Sequence, residues 1–262
     1  MREEYILSRT PDGPPPPPIV QRIRLCYAKR GRLRFTSHRD FARAFERALR
    51  RTRVPMAYSA GFTPHPRISY SSAAPTGMAS EAEYLEIGLA APVDPEQLRR
   101  ALDQALPPGI DLLAAVEAGG ASLAERLEAS EWRIELPAVD VEVLGAALDA
   151  FLARDEVPVD KRTKSGRRTI DVRGPVVRAM ALAGAPTEDP DPTCAILVVV
   201  VRHVTPAVRP DDILTGLRIV ADLDPPVPPR ATRLAQGALT AEGQIADPLA
   251  ADRTGAVDGA PA

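Results

Sequence analysis

Three side chains able to move protons lie within a dense set of arginines: His38, Tyr58 and His65. His38 belongs to Phe35-Thr36-Ser37-His38-Arg39-Asp40, and His65 to Gly61-Phe62-Thr63-Pro64-His65-Pro66. A histidine at a helix start, partnered by His65 or Tyr58, can serve as base or acid while a 2′-hydroxyl attacks a phosphate. Binding chemistry is written more densely. Arg39, Arg43, Arg47, Arg50 and Arg51 recur at i, i+4, i+8, i+11 and i+12, and Arg67 follows the Pro-His-Pro loop. A second basic run holds Lys161, Arg162, Lys164, Arg167 and Arg168. Arginine and lysine in one-sign clusters attract polyanions, and phosphates above all. Phe62 is either a stacking platform for a base or a loop aromatic tucked into the core. The catalytic candidates are therefore His38, His65 and Tyr58. The RNA-contact candidates are Arg39, Arg43, Arg47, Arg50, Arg51, Phe62, His65, Arg67, Lys161, Arg162, Lys164, Arg167 and Arg168. No Ser-His-Asp set, phosphate-binding glycine loop or paired-carboxylate pattern occurs.

These residues need a helix and a stiff loop to position them. Ser37 is a good N-cap, with Asp40 as the acidic partner of a capping box. Over residues His38–Thr52, Phe41, Ala44, Phe45, Ala48 and Leu49 share one face, and the arginines occupy the other. Glu46 is the only acid after Asp40 on this helix. The loop is constrained next. Gly61 can take a positive φ, Pro64 and Pro66 fix φ on both sides of His65, and Thr63 and His65 are pushed towards extended backbone. Glu81, Glu83 and Glu86 fall on a strand, either solvated or paired with the arginines.

Between these landmarks the order is strand, Phe-Thr-Ser-His-Arg-Asp, basic helix, Val-Pro-Met-Ala-Tyr-Ser-Ala-Gly-Phe-Thr-Pro-His-Pro-Arg-Ile-Ser, and Glu-Tyr-Leu-Glu-Ile. This order resembles the radical-SAM-linked domain family. That family is a domain of unknown function, found alone or joined to a radical-SAM, cobalamin-binding protein. The resemblance runs from Arg22 to Ala221 and is most specific in Gly-Phe-Thr-Pro-His-Pro. It implies a link to radical chemistry or RNA metabolism, and carries over no catalytic residue.

The chain has 262 residues and a net charge of −2 that conceals strong asymmetry. Residues 21–70 hold 13 Lys and Arg against 2 Asp and Glu; residues 71–156 reverse this, at 5 against 17; residues 157–180 hold 7 against 2. Two cysteines, Cys26 and Cys194, read as free thiols and are too few for an iron–sulfur cluster. The chain is thus not expected to be a radical-SAM enzyme itself. The three histidines lack metal-ligand spacing, so neither a metal nor a cofactor is expected. No apolar run approaches a membrane span and no signal-peptide core is present, so the expected location is the cytoplasm, away from membranes.

Strand patterns at 21–28, 68–73, 83–90 and 110–117 and helices at 38–52 and 95–105 give the order β-α-β-β-α-β. A bridge at 118–130 leads to a second such order. It has strands at 131–136, from 170 and at 194–203, helices at 141–153 and 211–219, and a last strand that the pattern does not reveal. Val157-Pro158, 13 residues before Ile170, echoes Val54-Pro55, 14 residues before Ile68. The expected fold is α+β: two tandem ferredoxin-like (βαββαβ) domains, residues 20–118 and 130–222. A disordered Pro-rich extension (1–18) and a mostly disordered tail (223–262) flank them, with a short docked helix or strand admitted over Arg230 to Leu239. The expected function is an RNA-binding accessory protein linked to RNA modification or processing. Its ligand would be tRNA or rRNA, and its partner a separate radical-SAM or RNA-processing enzyme. Two alternatives stay open: a metal-independent endoribonuclease using His38, and a protein-interaction module without nucleic acid.

Overall fold

Strand alternation decides the first element. Ile23, Leu25 and Tyr27 fall on one side of β1 (Gln21–Lys29) and are buried, as period-two patterning requires of a strand backed by helices. The computed structural model describes residues 16–163, 166–184 and 193–255. After β1 come α1 (His38–Arg51), β2 (Ile68–Tyr70), β3 (Ala79–Leu89), α2 (Pro95–Ala105) and β4 (Ile110–Glu117). The chain continues through β5 (Ala129–Pro137), α3 (Val141–Leu152), β6 (Pro158–Thr163), β7 (Gly166–Asp171), β8 (Val176–Ala183), β9 (Cys194–Arg202), α4 (Pro210–Ala221), β10 (Arg230–Gly237) and α5 (Ala250–Gly255). The class is mixed α+β, as the sequence suggests.

One sheet runs through both halves in the order β4-β1-β3-β10-β5-β9-β8, and β6 with β7 forms a separate ribbon. Among the described residues its pairings are antiparallel, except for β10 on β3. The edge of β3 is shared. β2 takes its far end, with Ile68 opposite Ile87, and β10 its near end, with Arg233 opposite Ser80. The N-terminal half thus has the spatial order β4-β1-β3-β2, and the C-terminal half β10-β5-β9-β8.

In the first half, Phe41, Phe45 and Leu49 of α1 and Leu98 and Leu102 of α2 pack onto Ile23, Leu25, Leu85 and Ile87. In the second, Leu144, Leu148 and Phe151 of α3 and Ile213 and Leu217 of α4 pack onto Trp132, Ile134, Leu136 and Leu197. Arg233 joins the two. It stands opposite Trp132 with its guanidinium 4.8 Å from the indole centroid, and it also reaches Glu83. Since Glu83 shares a side of β3 with Leu85 and Ile87, both helical layers cover one face of the sheet. On the other face Cys26, Ala82, Tyr84 and Val116 pack with Leu123, Leu127 and Leu249.

The stretch from residue 223 corrects the expectation of a mostly disordered tail. β10 lies in the middle of the sheet, and α5 docks on the opposite face through Asp252, which accepts from Arg24 and Arg126. The strand escapes a hydropathy reading because Arg233 and Gln236 are polar yet buried. A side chain at Gly237 would come within 1.9 Å of the Ala246 carbonyl, so glycine lets the chain fold back here. The 170–172 strand start is the end of β7, whose hairpin partner β6 and successor β8 the pattern did not separate. Residues 1–15 lie outside the described residues, and the chain is tied down by Val20, whose N–H donates to Leu89 at 2.8 Å. No described helix is long and apolar enough to cross a membrane.

Candidate nucleic-acid interface

The helix that carries the arginines is capped as its sequence requires. Ser37 Oγ accepts from the Asp40 N–H at 3.2 Å. The Asp40 carboxylate takes the Ser37 hydroxyl at 2.6 Å instead of the N-cap amide a full capping box would use. Tyr27 stacks on Phe41 at 4.3 Å between ring centroids and fixes the buried face of α1. Arg39, Arg43, Arg47, Arg50 and Arg51 are all exposed. Nine arginines lie between Arg32 and Arg67, and among the described residues Arg50 alone has an acidic partner, Glu46 at 3.7 Å. The acidic strand does not neutralise them. Glu81 pairs with Arg30, Glu83 with Arg233, and Glu86 with Arg22 and Arg24.

The Gly-Phe-Thr-Pro-His-Pro loop is held by a short backbone ladder. Ala57 donates to Gly88 at 2.9 Å, Arg67 to Ala57 at 2.8 Å and Ser59 to His65 at 2.8 Å, and the His65 N–H donates to Ser59 Oγ at 3.0 Å. Gly61 turns the tip at φ +130°, a conformation that L side chains resist. Phe62 at that tip is 71% exposed, which excludes the core reading. Against the last turns of α1 the loop forms a groove of about 410 Å³ lined by Glu46, Arg50, Arg53, Tyr58 and His65. Arg47 and Arg51 line a smaller groove on the other side of α1, of about 250 Å³, beside Leu106 and Pro107.

The structure thus brings Arg50, Tyr58 and His65 together, with Arg39, Arg43 and Arg47 leading along the helix and Arg67 exposed at the base of the loop. It does not bring His38 to them. His38 begins α1, 14 residues long, and the groove lies at its end; at 1.5 Å rise per residue that is about 20 Å. The His38 ring instead meets the Tyr70 ring edge-on at 4.8 Å. In the second basic run, Lys161 Nζ donates to the Ala207 carbonyl and to Asp212 and is spent on holding α4. Arg167 pairs with Asp160 at 2.7 Å, while Arg162 and Arg168 are exposed and have no acidic partner among the described residues. Lys164 lies outside the described residues.

Sequence reasoning passed over four groups near these sites. Phe35 is 58% exposed, with the Arg34 guanidinium 4.6 Å from its centroid, and lines a cleft of about 490 Å³ with Arg230. Its only signal was a phenylalanine outside the apolar stripe of the helix. Glu46, one turn before Arg50 on the helix, and Arg53, just past the Thr52 C-cap, face the groove. His203 borders a separate cavity of about 270 Å³, but both its ring nitrogens are engaged. Nδ1–H donates to the Leu127 carbonyl at 2.8 Å and Nε2 accepts from Ser130 Oγ at 2.7 Å. Desolvation of the ring lowers the His203 pKa against the hydrogen bond to Leu127, which raises it, and both nitrogens serve to tie the chain together. Among the described residues no three His, Cys, Asp or Glu side chains gather as a metal site.

A family model described as "Uncharacterized protein conserved in bacteria (DUF2344)" matches residues 22–210. The chain belongs to this family. No curated protein matches the sequence. The family span holds α1, the loop and the β6–β7 ribbon, so both basic elements are within it. It ends at the start of α4, and β10, which completes the sheet, lies beyond it.

Proposed function

We propose that this protein is an RNA-binding accessory module, presenting tRNA or rRNA to a separate enzyme that modifies or processes it. One observation carries the reading: eight of the nine arginines between Arg32 and Arg67 have no acidic partner among the described residues, while the neighbouring glutamates are satisfied elsewhere. Cations left unpaired on a rigid helix are available to phosphates without first breaking an internal ion pair. The scaffold is two ferredoxin-like halves fused edge to edge. Supporting this are the matching spatial orders β4-β1-β3-β2 and β10-β5-β9-β8, with the β6–β7 ribbon as an insertion. A radical-SAM enzyme is the partner class implied by the resemblance of the Phe-Thr-Ser-His-Arg-Asp and Gly-Phe-Thr-Pro-His-Pro runs.

The test is crosslinking in living cells, with sequencing of RNA recovered on the natural chain and on Arg43→Glu/Arg47→Glu. Discrete RNAs recovered on the first and lost on the second support the reading. Equal recovery on both, or none on either, refutes it. Recovered RNAs ending in 2′,3′-cyclic phosphate, and losing those ends with His38→Ala, would replace it with the endoribonuclease reading.

A further inference from the structure

We propose that the RNA segment seated on α1 is single-stranded and is held at both ends of the helix by stacked bases, on Phe62 and on Phe35. This rests on the RNA-binding reading and adds to it a strand type, a second aromatic contact and a length.

The two rings are unusual for this chain. It has five phenylalanines, and Phe41, Phe45 and Phe151 are buried. Phe35 and Phe62 are not, at 58% and 71% exposure. Leaving a phenylalanine in water forgoes the stabilisation its burial would give, and here both exposures fall at the ends of the arginine stripe. Phe62 stands on the loop that walls the groove at the last turns of α1. Phe35 stands two residues before the Ser37 N-cap, at the first turn. Each is backed by fixed structure. Beneath Phe62 lies the backbone ladder from Ala57 to Arg67, and beside Phe35 lie the Arg34 guanidinium and Gly77, whose N–H donates to the Arg34 carbonyl at 2.8 Å. Arg34 and Arg230 line the cleft at Phe35, with Glu135 3.8 Å from Arg230, and Arg50 and Arg53 line the groove beside the other loop, with Glu46 3.7 Å from Arg50. Arg34 and Arg53, without acidic partners among the described residues, are the cations open to the adjoining phosphates.

A flat π face recognises an unstacked base and is sequence-tolerant; a base inside a duplex is already stacked on its neighbours and cannot reach it. Length follows from geometry. The 14 residues of α1 span about 21 Å, which at 3.4 Å per stacked nucleotide is about six nucleotides. The strand between the platforms passes Arg39, Arg43, Arg47 and Arg50.

The experiment measures affinities of the full chain for single-stranded oligouridylates of about 4 to 16 nucleotides and for RNA duplexes of the same lengths. The expected result is affinity that rises with length and levels off at about six to eight nucleotides, with weaker duplex binding. Phe35→Ala and Phe62→Ala should each weaken single-strand binding by about 5- to 150-fold, leave duplex binding unchanged, and keep the melting temperature. Phe35→Tyr and Phe62→Tyr should retain binding, and the leucine variants should not, since only the π face is lost. Duplexes binding as tightly as single strands, with the phenylalanine variants unaffected, would overturn the proposal and leave the arginine surface standing. Failure of every RNA to bind would overturn both.

Discussion

Arg233 of β10 donates from Nη1 to Glu83 Oε1 of β3 at 3.3 Å, and neither side chain is more than 4% exposed. The pair lies where the two halves of the sheet meet. Glu83 Oε2 also accepts from the Ala74 N–H at 3.0 Å, and Arg233 donates to the Ser72 carbonyl at 2.6 Å, so the loop between β2 and β3 is pinned over it. Breaking a buried pair strands a charge away from water, at a cost of about 3–5 kcal/mol. Glu83→Gln and Arg233→Met should each lower the unfolding free energy by that order. The double substitution Glu83→Leu/Arg233→Met should cost less than the sum of the two. Denaturant titration of the three variants measures this, and single losses below about 1 kcal/mol would refute it.

Asp252 makes the tail depend on pH. Burial pushes its carboxyl up, but hydrogen bonds from Arg126, the Gly119 amide and Arg24 outweigh that and hold it below its ordinary 3.8. A carboxyl depressed on folding contributes stability that is complete above its unfolded pKa and disappears as pH falls through the folded one. Asp252→Asn should therefore destabilise the protein at neutral pH, and the gap to the natural chain should close in acid below pH 3.8. A gap independent of pH would contradict the anchoring role.

His203 predicts a second pH effect, in a different window. Its folded pKa lies below the ordinary 6.5 chiefly through desolvation of the ring, so its contribution is complete above pH 6.5 and is lost as pH falls. The melting temperature of the natural chain should decline as pH falls below 6.5, and His203→Gln should flatten that decline. Parallel profiles for the two proteins would show that other groups govern this range.

The elements that were legible carry their signals locally. α2 begins at Pro95 after the Asp94 cap, as read, and Ile110–Glu117 is a strand, because both have regular apolar spacing and clear stops. The arginine face of α1 was legible for the same reason. β10, admitted from the sequence only as a short docked helix or strand, could not be placed within the sheet because its buried Arg233 and Gln236 find partners for Nη1 and Nε2 about 150 positions away, at Glu83 and Ala82. Lys161 looked like its neighbours on paper. Only the fold reveals that Asp212 has claimed it and left Arg162 and Arg168 exposed.

That difference can be tested on the ribbon. Lys161→Ala should destabilise the protein, since it leaves the Ala207 carbonyl without its donor and Asp212 Oδ2 with only the Arg209 N–H. Arg162→Ala/Arg168→Ala should leave stability within about 0.5 kcal/mol of the natural chain. If the ribbon contributes to RNA binding, the loss belongs to the second variant at unchanged melting temperature. Equal destabilisation by both would contradict the assignment.

The salt dependence of RNA affinity tests the central claim most directly. Single strands lose affinity with a slope of about −0.7 in log K against log salt for each phosphate neutralised. Four phosphates held by Arg39, Arg43, Arg47 and Arg50 give a slope near about −3. Titration of single-stranded RNA across salt concentrations should give that slope for the natural chain. For Arg43→Glu/Arg47→Glu, binding should be much weaker and the slope shallower, with stability within about 0.5 kcal/mol. A flat salt response, or affinity unchanged by the double charge reversal, would contradict the account.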